Sequence, residues 1–382
     1  MLRRSLTGLA VLLVVIATLA FWKREQIGRL HAVMTLFDAD RITANFSAMD
    51  RAFLTRPVPR GDGPVTALPM GAPMTLPPGA YAWIRDRSVT ALIVLQDGQI
   101  RYENYYLGTG PDDRRISWSM AKSFLSALFG IVQAEAGIGL DDPVTRHAPQ
   151  LAGSAYDGVT VRQILQMTSG VGFNEDYLDF WSDINKMGRV LALGGSMDGF
   201  AAGLKTRAAP PGTRWHYVSI DTHVLGMVIR GATGRDIVDL MAERLIAPLG
   251  LEAAPYYVTD GLGEAFVLGG LNLTSRDYAR FGQMMLEGGR GIVPADWVAA
   301  STTASALTAA GGMGYGYQWW IPPGAEPGEF QAQGIYGQYI HIDLARGTVV
   351  VVNAADRGFE GAGVEAANIA MLRALSAAAS GP

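Results

Sequence analysis

Two β-rich apolar stretches lie far apart in the chain and enclose a long helix-rich middle, and this order restricts the fold more than any other feature. The first stretch, TALIVLQDGQIRYENYYLG, reads as two strands around the turn Gln96-Asp97-Gly98, because an Asp-Gly pair accepts the positive φ angles of a tight hairpin. The last, GIYGQYIHIDL followed by GTVVVVNAA, reads as successive antiparallel strands, with GYGYQWWI before them and a largely apolar helix over residues 366–379 after them. Between these ends, Thr160 is placed to cap VRQILQM, and THVLGMVIRGA runs as a helix to Gly234. Strands, helices, strands and a closing helix predict an α+β chain. Its antiparallel sheet is assembled from both ends and flanked by helices, with a helical subdomain over about residues 140–261 inserted between.

The catalytic body begins near Arg87 and runs to the C-terminus. Ahead of it, residues 25–86 form an extension that ends in a Pro/Gly-rich strap with no apolar period. Residues 1–24 carry Arg3 and Arg4, an apolar run over 6–22, and then Lys23 and Arg24. Trp22 followed by basic residues suits a membrane interface. The expectation is a single-pass anchor in a bacterial inner membrane with the catalytic body in the periplasm, or a secreted protein if the segment is cleaved after the weak site Thr18-Leu19-Ala20.

Composition removes several classes of function. A net charge of −4 over 382 residues gives nucleic-acid binding no electrostatic support. Cysteine is absent, and the five histidines form neither an H-E-x-x-H nor an H-x-H pair, so no metal site is expected. No G-x-S-x-G elbow occurs, which removes the Ser-His-Asp α/β-hydrolase.

The chemistry concentrates in three places. Ser119-Met120-Ala121-Lys122 opens a mostly apolar helix that runs to Gly137. Positions three apart share a helix face, so hydroxyl and amine can meet, and the helix start favours an oxyanion. Serine needs a base, and lysine serves as one when burial lowers its pKa. Spacing alone is a weak signal, but the apolar flanks Ile116, Trp118, Phe124, Leu125 and Leu128 give a lysine no ordinary reason to be there. Second, a P-P-G turn leads into Tyr217-Val218-Ser219, from which the Tyr217 phenol could shuttle a proton if a nearby cation lowers its pKa. Third, Gly334-Ile335-Tyr336-Gly337-Gln338 reads as a strand whose glycines permit close approach, and its edge offers a backbone N–H to an oxyanion.

In this order the three elements resemble the serine β-lactamase and penicillin-binding protein superfamily, whose nucleophile motif is S-x-x-K. The likeness is strongest to the class C-like esterase and 6-aminohexanoate-oligomer hydrolase branch. It extends from about Thr90 to Asn353 through SWSMAKSF, LDDPVTRHAPQL, VRQILQMTSGV, FNEDY, PPGTRWHYVS, GGLNLTSRDYARFG and GYGYQWW. The resemblance implies a β-lactamase/transpeptidase-like fold, no cofactor, and a small ester or amide substrate. It implies Ser119 as the acylated nucleophile, Lys122 as base, Tyr217 in proton transfer, and the N–H groups of Ser119 and Ile335 as oxyanion hole. Ser219, Gly334, Tyr336 and Tyr177 would then contact substrate. Glu175, also in FNEDY, invites comparison with a class A deacylation base, but its surroundings do not match that role and it is expected to solvate a loop edge.

One departure bears on substrate. Penicillin-handling members usually carry K-T-G or a close relative on the strand that bears Gly334, and here the slot reads Ala332-Gln333-Gly334, without the cation that helps to bind the drug's carboxylate. The expected activity is cleavage of an ester or amide. A β-lactamase or D-Ala-D-Ala peptidase, and a catalytically silent tethered binding protein of the same fold, are the alternatives.

Overall fold

The computed structural model describes residues 8, 12–18 and 21–381. Its centre is a seven-stranded sheet in the order β3-β2-β11-β10-β9-β8-β7, with every neighbouring pair antiparallel. These strands are β2 (Val89–Gln96), β3 (Gln99–Tyr105), β7 (Gly314–Tyr315), β8 (Trp320–Ile321), β9 (Glu329–Gly334), β10 (Gln338–Asp343) and β11 (Thr348–Ala354). A second sheet, β1-β5-β6-β4, joins β1 (Leu54–Pro57), β4 (Arg115–Ile116), β5 (Tyr256–Thr259) and β6 (Leu271–Leu273).

Sequence pattern explains the layers. In β2, Leu92 and Val94 face one side and Ile93 and Leu95 the other, as a two-residue period requires. All four are buried, as is every residue of β11, because helices cover both faces. One face packs Ala80–Asp86 and the C-terminal helix Val364–Ala379, through Trp83, Ile84, Leu372 and Leu375. The other face packs Met120–Val132 and Ser275–Leu286, through Phe124, Leu128 and Phe281.

The middle of the chain is helical as expected. Thr160 and Gln163 form a reciprocal capping box on Val161–Leu165, and Ser219–Thr233 ends on Gly234 at φ +65°. The helix after Ser119 stops earlier than its composition suggests, at Val132. The chain then closes through a turn in which the Ile138 N–H donates to Gln133 O and Gly137 takes φ +63°.

The extension is built into the body. Helix Arg24–Met34 packs against helix Asp183–Leu193, β1 pairs with β5, and the strap is tied by Gly71 N–H to Ile100 O and Met74 N–H to Arg101 O. The expected membrane-spanning run over 6–22 falls partly outside the described residues. Among the described residues no helix is long and apolar enough to cross a bilayer, so an inner-membrane anchor has no support here. The described residues of the run, 8, 12–18, 21 and 22, are helical and exposed.

Candidate active site

Trp118 precedes the helix Met120–Val132 with φ +42°, an unfavourable conformation for a bulky residue. It is held there by an aromatic cage. Its ring lies 5.9 Å from Phe37, 5.5 Å from Phe46 and 6.3 Å from Tyr336. That turn places Ser119 at the helix N-cap, at the junction of two cavities, both of which it lines.

One helical turn on, Lys122 is 1% exposed. Its Nζ is 2.8 Å from Ser119 Oγ, 3.2 Å from Ser219 Oγ and 3.0 Å from Leu268 O. Burial lowers the amine to about pKa 7, opposed by the charge of Glu175. A neutral amine has two N–H donors and one lone pair. Ser219 Oγ and Leu268 O can take the donors, which leaves the lone pair for the Ser119 hydroxyl.

Glu175 corrects the expectation of a solvated loop edge. Its Oε1 accepts from Tyr177 OH at 2.6 Å and from Ser219 Oγ, and its Oε2 accepts from the Ser219 N–H at 3.0 Å. A chain of polar contacts therefore runs Ser119–Lys122–Ser219–Glu175, with Tyr177 closing it from the side. The signal was present in FNEDY. Residues two apart in an extended segment face the same way, so a Tyr177 directed at the site brings Glu175 with it. Leu268 O, as a backbone group, had no residue-type signal.

Tyr217 projects from the segment before Ser219–Thr233 and stacks on Trp320 with ring centroids 5.3 Å apart. Lys122 Nζ lies 5.1 Å from its ring centre. The phenol pKa is raised, not lowered as expected. Burial and then the Glu175 charge push it up, and only hydrogen bonds with Ser119 and Ser219 act against them. Burial is the larger cause, and the nearby Lys122 amine, itself drawn down to about 7 by burial, does not reverse it.

The Gly334–Gln338 segment differs from a plain strand. Gly334 ends β9 and pairs with Gln338, while Ile335, Tyr336 and Gly337 form the hairpin turn, Tyr336 at φ +60° and Gly337 at φ +84°. Gly334 passes so close to Ser119 that a Cβ there would lie 2.7 Å from Ser117 O and 3.1 Å from Ser119 N. Ile335 follows at once and lines both cavities. Neither its amide nor that of Ser119 donates to another backbone group among the described residues. Tyr177 and Ser219 also reach the cavities. Tyr336 lines neither. Its ring stacks on Phe37 at 5.0 Å and so packs the cage behind Trp118.

A buried serine–lysine pair at a helix start, a tyrosine facing it and a sheet hairpin at its side define a recognisable arrangement. The β-lactamase family model matches residues 80–374. The chain belongs to the β-lactamase family.

A relative within this β-lactamase family, the 6-aminohexanoate-dimer hydrolase of Paenarthrobacter ureafaciens, is 32% identical over 327 residues, spanning 81% of each chain. A solved structure provisionally assigned as a 6-aminohexanoate-dimer hydrolase from Bacillus anthracis superposes with a TM-score of 0.79 at 24% identity, covering 89% of this chain and 95% of that one. The octameric penicillin-binding protein homologue from Pyrococcus abyssi gives 0.59 at 21% identity, covering 77% and 76%. These structural likenesses agree with the expected fold, antiparallel sheets flanked by helices. The protein is thus a serine hydrolase of the β-lactamase family.

Proposed function

We propose that this protein hydrolyses a neutral ester or amide through an acyl-enzyme on Ser119. The observation that carries the reading is the buried Lys122 amine, 2.8 Å from Ser119 Oγ with its pKa drawn down to about 7. Such an amine is a base at neutral pH. As Ser119 Oγ bonds to the carbonyl carbon, its proton passes to Lys122 Nζ, and the carbonyl π pair moves onto oxygen, facing the N–H groups of Ser119 and Ile335. Collapse breaks the bond to the leaving oxygen or nitrogen. Tyr217 gives that atom its phenolic proton and regains one from the Lys122 ammonium. A raised phenol pKa suits this role, because the proton is retained until a strongly basic leaving atom develops. Water then attacks the acyl carbon, passing one proton through Lys122 to Ser119 Oγ as the C–Oγ bond breaks.

Neutral substrates are favoured over penicillins and D-Ala-D-Ala peptides by the charge of the cleft beside Tyr217. Its lining includes Glu360 and Glu365 and no lysine or arginine, while Ala332, in the slot of the family's lysine, is fully buried in β9. A substrate carboxylate would meet repulsion there. The relative's name gives a 6-aminohexanoate dimer as what it hydrolyses, which supports keeping amides beside esters.

A fluorophosphonate probe should label the wild type and leave Ser119→Ala unlabelled; equal labelling of both, or none of the wild type, overturns the reading. Glu175 is assigned a positioning role through Ser219. Its charge raises the Lys122 pKa, so the acid limb of the kcat/KM profile, expected near pH 7 in the wild type, should move to lower pH in Glu175→Gln. A limb that stays in place would show that the carboxylate does not act on the lysine.

A further inference from the structure

The two cavities that meet at Ser119 differ in chemistry, and that difference divides the substrate. The first encloses about 610 Å³, within the range of about 300–1,000 Å³ that buries a sizeable small molecule. Its walls are almost wholly apolar. Leu30, Val33 and Phe37 come from the N-terminal extension, Ile184 and Leu191 from helix Asp183–Leu193, and Phe266 from the segment before β6. The second cavity is the cleft that holds Tyr217, Glu360 and Glu365.

Tyr217 lines only the second cavity. The group that protonates the leaving atom must lie beside that atom, so the leaving alcohol or amine departs into the acidic cleft. The part that remains bonded to Ser119 has the other cavity to occupy. From this geometry, and resting on the acyl-enzyme reading above, we propose that the substrate's acyl group is a medium-to-long hydrocarbon chain or a comparably large apolar group. The extension over residues 24–53 forms one wall of its binding site. The cavity's one charged lining residue among the described residues, Arg189, is engaged elsewhere, its guanidinium donating to Phe180 O and lying over the Phe180 ring. A cavity so predominantly apolar stabilises such a group in proportion to the area removed from water.

Gly188 supplies a direct test. It lies on the cavity wall in helix Asp183–Leu193, and a Cβ added there meets nothing within 4 Å. Gly188→Leu therefore begins in open space and replaces a poor helix former by a good one, and a thermal melt matching the wild type checks that the fold is retained. The experiment measures kcat/KM on the full chain with p-nitrophenyl esters of increasing acyl length, and in parallel with acetate esters of increasing alcohol length. Each buried methylene is expected to raise kcat/KM by about threefold, so extension of the acyl chain from acetyl to octanoyl should raise it by at least about 100-fold. Lengthening the alcohol by the same amount should raise it far less. In Gly188→Leu the ratio of octanoyl to acetyl kcat/KM should fall about tenfold or more.

A flat acyl series, a steeper alcohol series, or an unchanged ratio in Gly188→Leu overturns the acyl assignment while leaving Ser119-dependent hydrolysis standing. Absence of turnover for every ester and amide, together with an unlabelled Ser119, overturns both.

Discussion

Replacing Lys122 by methionine is expected to abolish turnover and, near neutral pH, to stabilise the folded protein. The loss of activity follows from the geometry. With Nζ gone, no other amine or imidazole contacts Ser119 Oγ among the described residues, and kcat/KM should fall by at least about 10⁴-fold, since a base and its nucleophile act as one unit. The gain in stability follows from linkage. The amine has a pKa of about 7 in the fold against the ordinary 10.5, so the unfolded chain binds more protons between those values and stability rises with pH across that window. At and below about pH 7 the full penalty is present, roughly 5 kcal/mol; above about 10.5 it vanishes. Three hydrogen bonds, each worth about 1 kcal/mol, are lost with the amine. The net gain for Lys122→Met is then roughly 2 kcal/mol at pH 6, falling to nothing or reversing by pH 10. Urea unfolding at the two pH values measures it. A methionine variant whose stability relative to wild type is the same at both would show that the lysine is not held neutral by burial.

The second large effect is expected from a single methyl group. Gly334→Ala places a Cβ 2.7 Å from Ser117 O and 3.1 Å from Ser119 N. Both neighbours are backbone, so neither can swing aside. Either β9 moves away, taking the Ile335 amide with it, or the Ser117–Ser119 turn shifts. In both cases an oxyanion donor is misplaced, and the loss of one such donor costs about 10²–10³ in kcat. The expected signature is a lower kcat, KM changed far less, and fluorophosphonate labelling of Ser119 slowed but not abolished. Near-wild-type kcat in a folded Gly334→Ala would remove the Ile335 amide from the mechanism. Lengthening the side chain to valine should aggravate the same defect.

Much of the fold was legible because local chemistry and global packing agree. The Asp97-Gly98 turn, the continuous valines of β11 and the Thr160 cap each have one physically comfortable conformation, and the structure adopts it. The Ser119–Lys122 pair was legible for a similar reason, since helix geometry alone brings positions three apart together. What escaped depends on contacts between distant segments. Tyr336 and Gly337 look like strand residues by type, yet both take positive φ because the hairpin must turn there and the Tyr336 ring finds Phe37 and Phe46 behind it. Glu175 looked like a solvated loop residue because its partner, Ser219, lies 44 positions away. The condition set for Tyr217, a cation that lowers its pKa, is not met, because its burial and the Glu175 charge outweigh the groups that lower it, and neither is visible in the chain around position 217.

The join between β2 and β11 also dictates when the protein can first work. Val89–Gln96 finds its second partner only when Thr348–Ala354 arrives, so the central sheet stays open on the ribosome until more than 250 further residues have been made. Sheets closed by such remote pairing form slowly and leave strand edges exposed meanwhile. Ser119 and Lys122 are made early, whereas Ile335 lies on the hairpin just before the closing strand. On the proposed mechanism, a nascent chain thus carries its serine–lysine pair long before the sheet that would complete the oxyanion site has formed around it. Full reactivity is expected only once Thr348–Ala354 has joined β2.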